Sequence, residues 1–159
     1  MIIIVFGVSG SGKSTIAKGL SDRLHIPYYD ADDFHPEANI TKMSDGKSLD
    51  DKDRLPWLLT LAENIYNWSL NKGAVLACSA LKEKYRDLLS TNYKTKIHWV
   101  LLNGTPEIIK KRMDRRKGHY MSSKLLKSQF KDLEVPDYGI HADISADPES
   151  MIDEIISKL

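Results

Sequence analysis

A glycine-rich segment near the start of the chain has the residue types and spacing of a phosphate-binding loop. Residues 7–14 read Gly-Val-Ser-Gly-Ser-Gly-Lys-Ser and fit the pattern G-x-x-x-x-G-K-[ST]. Glycines let backbone N–H groups turn toward phosphates, and the N-terminus of a following helix adds partial positive charge. In this pattern Lys13 reaches the β- and γ-phosphates of a nucleoside triphosphate, and the Ser14 hydroxyl binds Mg²⁺. The residues predicted to contact the nucleotide are Gly7, Ser9, Gly10, Ser11, Gly12, Lys13, Ser14 and Thr15.

Carboxylates follow the second apolar stretch of the chain, which ends in Asp30-Ala31-Asp32-Asp33. In a parallel sheet the carboxyl ends of neighbouring strands open onto one crevice, here the crevice of the phosphate-binding loop. Asp30 and Asp32 project to one side, so one is predicted to hold metal-bound water and the other to accept a hydroxyl proton. The alternative is a helix N-cap with solvated acids, and Asp33 is assigned to it. No acidic residue ends the third predicted strand, so Asp30 is the candidate metal group, acting through water.

Two absent motifs narrow the class of nucleotide-binding protein. A GTPase switch needs an Asp-x-x-Gly metal loop and an Asn-Lys-x-Asp base-reading motif, and the sequence contains neither. Catalysis of phosphoryl transfer depends on positioning and charge neutralisation, which requires closing segments and additional cations. The sequence supplies both, so a kinase is favoured over a signalling switch.

Alternating apolar stretches predict the scaffold that must position these residues. Residues 2–6 are continuously apolar and mostly β-branched, which is typical of a strand buried on both faces of a parallel sheet. Between such stretches apolar residues recur with helical spacing, as at Ile16, Leu20 and Leu24. Strands and helices therefore alternate, which indicates an α/β fold. The predicted strands are 2–6, 26–30, 74–78, 97–102 and 140–146.

Composition sets limits on partners and location. A length of 159 residues predicts one domain, and a net charge of +1 provides no field that would attract nucleic acid or an anionic membrane. The longest apolar opening is too short to span a bilayer. The single cysteine, Cys78, excludes an intramolecular disulfide and a cysteine-based zinc site. It fits a reducing compartment, so a cytoplasmic location is predicted.

Several further motifs, taken together, make the sequence recognisable. They are Asp30-Ala31-Asp32-Asp33-Phe34-His35-Pro36, Asn39-Ile40, Lys42-Met43, Gly46, Leu49, Asp51, Asp53-Arg54, Pro56-Trp57-Leu58, Cys78-Ser79-Ala80-Leu81-Lys82, Tyr85-Arg86-Asp87, Gly118-His119, Gln129-Phe130 and Glu134. With them the chain resembles the small P-loop gluconokinases, which are related in fold to shikimate kinase and nucleoside monophosphate kinases. The resemblance covers most of the chain. It departs from the family pattern at Ala31, where glycine is usual, and at Ser48, where proline is usual.

The resemblance implies ATP-dependent phosphorylation of D-gluconate at its 6-hydroxyl, with Mg²⁺ as metal. It implies an α/β, three-layer P-loop NTPase fold, with about five parallel strands, helices on both faces and a helical lid. Residues 1–159 are expected to form a single kinase domain, with a substrate-binding excursion at about residues 36–57 and a lid at about residues 112–136. Family members are often dimers, so the resemblance allows a homodimer.

Three cations outside the phosphate-binding loop are candidate ligands of the sugar acid. Arg54, expected just before a helix that contains Pro56, could bind its carboxylate bidentately. A similarly placed arginine in shikimate kinase favours this role over a surface salt bridge. Lys82 and Arg86 follow the third strand, and their spacing puts them on one helical face. For them a solvated helix face is the alternative.

The densest basic run and two histidines complete the predicted site. The run comprises Lys110, Lys111, Arg112, Arg115, Arg116 and Lys117. By resemblance, Arg116 or Arg115 closes onto the transferring phosphate and Arg112 lies near the adenine; a solvated face is the alternative. His35 and His119 are assigned to substrate hydroxyls or the lid, or else to structural hydrogen bonds.

Two other functions compete with a gluconokinase. One is a kinase of another small hydroxylated acid such as shikimate, although the glycine triplet usual after the third strand of shikimate kinases is replaced here by Ser79-Ala80-Leu81. The other is a nucleotide-binding module without catalysis, which the presence of Asp30 and Asp32 disfavours.

Overall fold

Strands and helices alternate along the part of the chain that the computed structural model describes, residues 1–92, 96–115 and 123–159. The elements of these residues are β1 (Ile2–Phe6), α1 (Lys13–Leu24), β2 (Tyr28–Asp30), α2 (Glu37–Ser44), α3 (Asp51–Ser69), β3 (Ala74–Ala77), α4 (Glu83–Ser90), β4 (Ile97–Asn103), α5 (Pro106–Arg115), α6 (Ser123–Asp132), β5 (Ile140–Asp143) and α7 (Pro148–Lys158). A 3-10 turn, Ala31–Phe34, follows β2. None of the helices in this part of the chain combines the length and apolarity needed to cross a membrane.

The five strands form one parallel sheet in the order β2-β3-β1-β4-β5. Strand β1 lies at its centre, where Ile3 pairs with Val75 of β3 on one side and with His98 of β4 on the other. Its five side chains are all fully buried, because helices cover both faces of the sheet. The predicted α/β P-loop fold is confirmed. Strand β2 begins later than the predicted 26–30 and β5 ends earlier than the predicted 140–146.

Alternate side chains of β1 supply the two halves of the core. Ile3 and Val5 face a cluster that includes residues of α1, α5, α6 and α7. Ile2, Ile4 and Phe6 face the other cluster, with residues of α3 and α4. The predicted helices on both faces are therefore present, and every strand points its carboxyl end at the same edge of the sheet.

Helix α3 begins earlier than the sequence analysis expected. The backbone N–H of Asp53 donates to the Asp50 carboxylate (2.8 Å), and the Asp53 carboxylate accepts from the Asp50 N–H (2.9 Å). This reciprocal capping box satisfies two N–H groups at the helix start. Arg54 therefore lies inside the first turns of α3, and not before a helix that starts near Pro56. The spacing of Asp50 and Asp53 in the sequence could have predicted this helix start, because an acidic pair three residues apart can cap a helix.

A buried arginine connects the end of α6 to the loop after β3. The Arg86 side chain is 1% exposed. Its Nη1 donates to the carbonyls of Ala80 (2.7 Å) and Leu81 (3.2 Å), and its Nη2 donates to the carbonyl of Glu134 (2.7 Å). Nε and Nη2 both donate to the Glu83 carboxylate. The guanidinium is thus fully engaged inside the protein, which corrects both the predicted substrate contact of Arg86 and its alternative, a solvated helix face.

We expect Arg86→Met to destabilise the fold, because it leaves three carbonyls and a carboxylate without their donor. The cost should be about 3 kcal/mol, or a fall in Tm of roughly 6 to 12 °C for a chain of this size. Differential scanning calorimetry measures it. Arg23→Met is the matched control, because Arg23 also pairs with two acids but is half exposed and should contribute less than about 1 kcal/mol. Equal melting of the two variants would contradict the anchoring role.

Candidate active site

A cavity of about 600 Å³ opens at the carboxyl edge of the sheet. Its walls come from the phosphate-binding loop, the end of β2 with its 3-10 turn, the α2–α3 connection, α3, the end of β3, and α6. This is the crevice beside the central strand where ligands bind in open α/β sheets. Candidate residues that are far apart in the sequence therefore meet in one enclosure.

The phosphate-binding loop has a backbone that requires glycine. Gly10 and Gly12 have φ values of +79° and +95°, in the left-handed region. A Cβ at Gly10 would lie 2.6 Å from Sδ of Met113, so α5 packs directly against the loop. Six predicted nucleotide contacts line the cavity: Ser9, Gly10, Gly12, Lys13, Ser14 and Thr15. Gly7 and Ser11 lie outside this lining, where the Gly7 N–H donates to the Ser79 carbonyl (3.3 Å) and the Ser11 N–H to the Val8 carbonyl (3.3 Å).

Lys13 is held at the base of the loop by an internal hydrogen bond. Its Nζ donates to the Val8 carbonyl at 3.0 Å. Burial lowers the pKa of Lys13, while the nearby negative charges of Asp32 and Asp30 oppose that change. The ammonium group is thus desolvated and directed at a cavity bounded by acids. A phosphate there would interact strongly with it, because desolvated charges are less screened.

Asp30 and Asp32 have different surroundings. The Asp30 carboxylate caps the 3-10 turn by accepting from the Asp32 N–H (3.0 Å), and it also accepts from the Tyr28 hydroxyl (3.3 Å). The Asp32 carboxylate lies 3.9 Å from Nε2 of His35. The Asp32 side chain is 86% exposed, yet partial desolvation at the cavity wall raises its pKa, and the charge of Asp30 raises it further. Asp30 therefore does act as a cap, as the alternative held, while it also lines the cavity together with Asp32.

His35 is fixed in one tautomer by its neighbours. Nδ2 of Asn39 lies 3.3 Å from Nδ1 of His35 and donates to the Asp53 carbonyl at 3.0 Å. An amide nitrogen only donates, so Nδ1 accepts and the neutral ring carries its proton on Nε2. Burial lowers the pKa of His35, and the ring stacks on Trp57 at 4.3 Å. His35 thus presents an N–H donor beside Asp32 in the cavity.

Arg54 provides positive charge in another part of the same cavity. Its Nη1 donates to the Tyr85 hydroxyl (3.3 Å) and lies 3.9 Å from the Asp51 carboxylate. The Tyr85 hydroxyl donates to Asp51 (2.6 Å), and its removal from water, together with that hydrogen bond, raises the pKa of Tyr85 to about 12. Tyr85 therefore stays neutral and orients the guanidinium, which lines the cavity and can meet an anionic ligand.

Lys82 and Arg112, two further predicted contacts among the described residues, are absent from the cavity lining. Lys82 is the N-cap residue before α4, so it lies outside the helix that carries Arg86. The substrate contact of Lys82 stays a prediction. Arg112 donates to the Ile144 carbonyl and lies beside Gly12, so its role near the adenine stays a prediction. Arg116 and His119 fall outside the described residues.

Magnesium fits the donors that line the cavity. The residues described contain no group of three His, Cys, Asp or Glu side chains that could hold a metal. Mg²⁺ commonly takes only one or two protein oxygens and keeps waters and substrate phosphates as its other ligands. The Ser14 hydroxyl and the Asp30 carboxylate are of that kind, and both line the cavity.

Known proteins with similar sequences identify the family. The chain is 46% identical to the thermosensitive gluconokinase of Escherichia coli over 134 residues, which cover 84% of this chain and 71% of that protein. It is 41% identical to a probable gluconokinase of Xenopus tropicalis over 175 aligned positions, which cover 98% and 91% of the two chains. The chain belongs to the gluconokinase family.

The structural comparison agrees with this assignment. The crystal structure of a gluconokinase from Sinorhizobium meliloti superposes with a TM-score of 0.90 at 35% identity, covering 98% of this chain and 89% of that one. A family model described as shikimate kinase matches residues 9–158. The gluconokinase resemblance seen in the motifs is thus confirmed.

The sequence did not predict the site contacts of three residues. Tyr28 bonds Asp30, Lys47 lines the cavity, and Gln129 of α6 bonds the backbone of Ser9. Gln129 lies in a motif that carried the resemblance, so its position was marked although its partner was not. Tyr28 and Lys47 had no spacing signal.

We expect Asp32→Asn to lower kcat by about 10²- to 10⁴-fold, the range for loss of a general base. Asp33→Asn is the control, because Asp33 neighbours it and is absent from the cavity lining. In the unsubstituted gluconokinase, a base must be ionised, so kcat/KM should fall as pH falls through a value above the ordinary aspartate pKa. Steady-state rates across pH measure both effects. Near-normal turnover of Asp32→Asn would assign the role to Asp30 or remove it.

Proposed function

We propose that the protein transfers the γ-phosphate of ATP to the 6-hydroxyl of D-gluconate, giving ADP and 6-phospho-D-gluconate. The observation that carries the proposal is one cavity lined by the phosphate-binding loop, a free carboxylate at Asp32 and a guanidinium at Arg54. The relatives named gluconokinase support the same acceptor. A linear sugar acid has a carboxylate at one end and a primary hydroxyl at the other, which matches this distribution of charge.

At the hydroxyl end, Asp32 acts as the base. Its raised pKa makes the ionised carboxylate a better proton acceptor than that of an ordinary aspartate. The N–H on Nε2 of His35 is available to an oxygen of the acceptor, because the ring is neutral and its other nitrogen is engaged. Asp32 takes the proton of the attacking hydroxyl, and Lys13 neutralises charge on the transferring phosphate.

At the carboxylate end, Arg54 binds the acid. Its planar guanidinium matches a carboxylate with two parallel hydrogen bonds. The Tyr85 hydroxyl and the Asp51 carboxylate hold it in place. Hydrogen bonds from Lys84 and Tyr85 lower the pKa of Asp51 to about 2, so its charge is constant over the working pH range. Arg54 therefore fixes one end of the acceptor, so that its far hydroxyl faces Asp32.

The remaining assignments belong to the same proposal. Ser14 and Asp30 would hold Mg²⁺, which neutralises charge on the phosphates when bound. Arg115 or Arg116 closes onto the transferring phosphate, Arg112 lies near the adenine, and His119 contacts the acceptor or lid. Single-domain organisation with a lid at about residues 112–136, a cytoplasmic location and a homodimer also stay predictions.

Purified protein with Mg-ATP should release ADP in the presence of D-gluconate. A coupled ADP-release assay against gluconate, shikimate, other aldonic acids and nucleoside monophosphates tests the acceptor. Turnover with gluconate as the preferred acceptor is expected. Turnover with another acceptor alone would support kinase activity but refute gluconate as the substrate. No turnover with any acceptor would favour a nucleotide-binding module without catalysis.

Arg54→Met should raise KM for gluconate by about 10- to 150-fold, the equivalent of a hydrogen-bonded charge pair of about 1.5–3 kcal/mol. KM for ATP should change little, because the phosphate-binding loop is intact. Lys84→Met is the matched control, since Lys84 also pairs with Asp51 but does not line the cavity. Equal changes in both KM values for Arg54→Met would refute carboxylate binding.

A further inference from the structure

A two-point contact joins the phosphate-binding loop to α6, a helix 120 residues further along the chain. The Ser9 N–H donates to Oε1 of Gln129 at 2.7 Å, and Nε2 of Gln129 donates to Oγ of Ser9 at 3.0 Å. Both residues line the cavity. One carboxamide thus binds the backbone and the side chain of the same loop residue.

The helix that carries Gln129 is firmly attached to the core. Leu126 is buried in the sheet-packing cluster, with Phe130 packed against it. Just after α6, the Glu134 N–H donates to the Leu81 carbonyl (2.8 Å) and the Glu134 carbonyl accepts from Arg86 (2.7 Å). The carboxamide is therefore presented from a support that is fixed at its far end, and it can hold the loop in position.

The contact is compatible with a phosphate in the loop. The N–H groups that open α1, from Lys13 onward, have no partner within the helix and are the ones that cradle an anion. Ser9 lies before these groups, and its N–H is already satisfied by Gln129. The Ser9 N–H is not among the helix N–H groups, so a phosphate held by those groups does not require Gln129 to leave.

We propose that Gln129 is a positioning residue for phosphoryl transfer: its carboxamide clamps Ser9, and with it the phosphate-binding loop, to α6 at the wall of the cavity. The role rests on the proposed kinase function. Gln129 acts through the loop and not by contact with the reacting groups. Its Nε2 carries two hydrogens, and the bond to Ser9 uses one of them. Displacement of the loop by about 1 Å is enough to reduce transfer by roughly 10²-fold.

A double-mutant cycle tests the clamp. Gln129→Met removes both hydrogen bonds at nearly constant length, and Ser9→Ala removes only the one to Oγ. We expect Gln129→Met to lower kcat by roughly 10- to 100-fold while KM for gluconate changes less than about threefold. Ser9→Ala should lose less, and the double variant should be no worse than Gln129→Met, because the two groups act as one contact. Lys127→Met, on the exposed side of α6, should match the unsubstituted protein.

A second measurement tests the contact between Gln129 and Ser9 independently of which acceptor the enzyme uses. The same four proteins are titrated with Mg-ADP by calorimetry, where Gln129→Met should weaken binding by roughly fivefold, with the same non-additive cycle. If the unsubstituted protein shows no gluconate-dependent turnover, the proposed function fails and the ADP cycle alone decides the clamp. Additive losses, or a Gln129→Met protein that equals Lys127→Met in both measurements, would overturn it.

Discussion

The structure depends on the pairing of the central strand β1 along both of its edges. Its backbone pairs with β3 and β4 and its side chains are all buried, so the position of its carboxyl end is fixed by both neighbours. Pairing continues past the strands, where the Cys78 N–H donates to the Val5 carbonyl (3.0 Å) and the Gly7 N–H donates to Ser79. The phosphate-binding loop is therefore hydrogen-bonded to the segment after β3 at its first residue, and the left-handed Gly10 and Gly12 then lead it into the start of α1. Its position follows from the sheet.

The charged groups in this cavity shift the pKa values of their neighbours. Burial lowers the pKa of Lys13 while Asp30 and Asp32 oppose that change, and Asp30 raises the pKa of Asp32. Asp30 accepts hydrogen bonds from the Asp32 N–H and the Tyr28 hydroxyl, whereas the Asp32 carboxylate has the His35 ring as an ion-pair neighbour at 3.9 Å. Two aspartates of one motif thus become different groups because one is engaged in hydrogen bonds and the other is not.

Local signals made much of this molecule predictable from its sequence. The phosphate-binding loop and the five strands depend on a few adjacent residues, and the sequence predicted them. Arg86 was misplaced because four-residue spacing identifies a shared helical face without saying whether that face is turned to solvent or core. The Ser9–Gln129 contact was missed because it joins residues 120 positions apart, and nothing local records which side chains α6 brings to the loop.

The single cysteine has a consequence for chemical modification of the protein. Cys78 lies at the cavity wall but is only 2% exposed, and burial raises the pKa of its thiol to about 12. At neutral pH almost none of it is thiolate, the form that alkylating reagents and oxidants attack. The native chain is thus close to inert toward maleimides. A cysteine placed on an exposed helix would be its sole reactive thiol, so a fluorophore or spin label could be attached there without first removing Cys78.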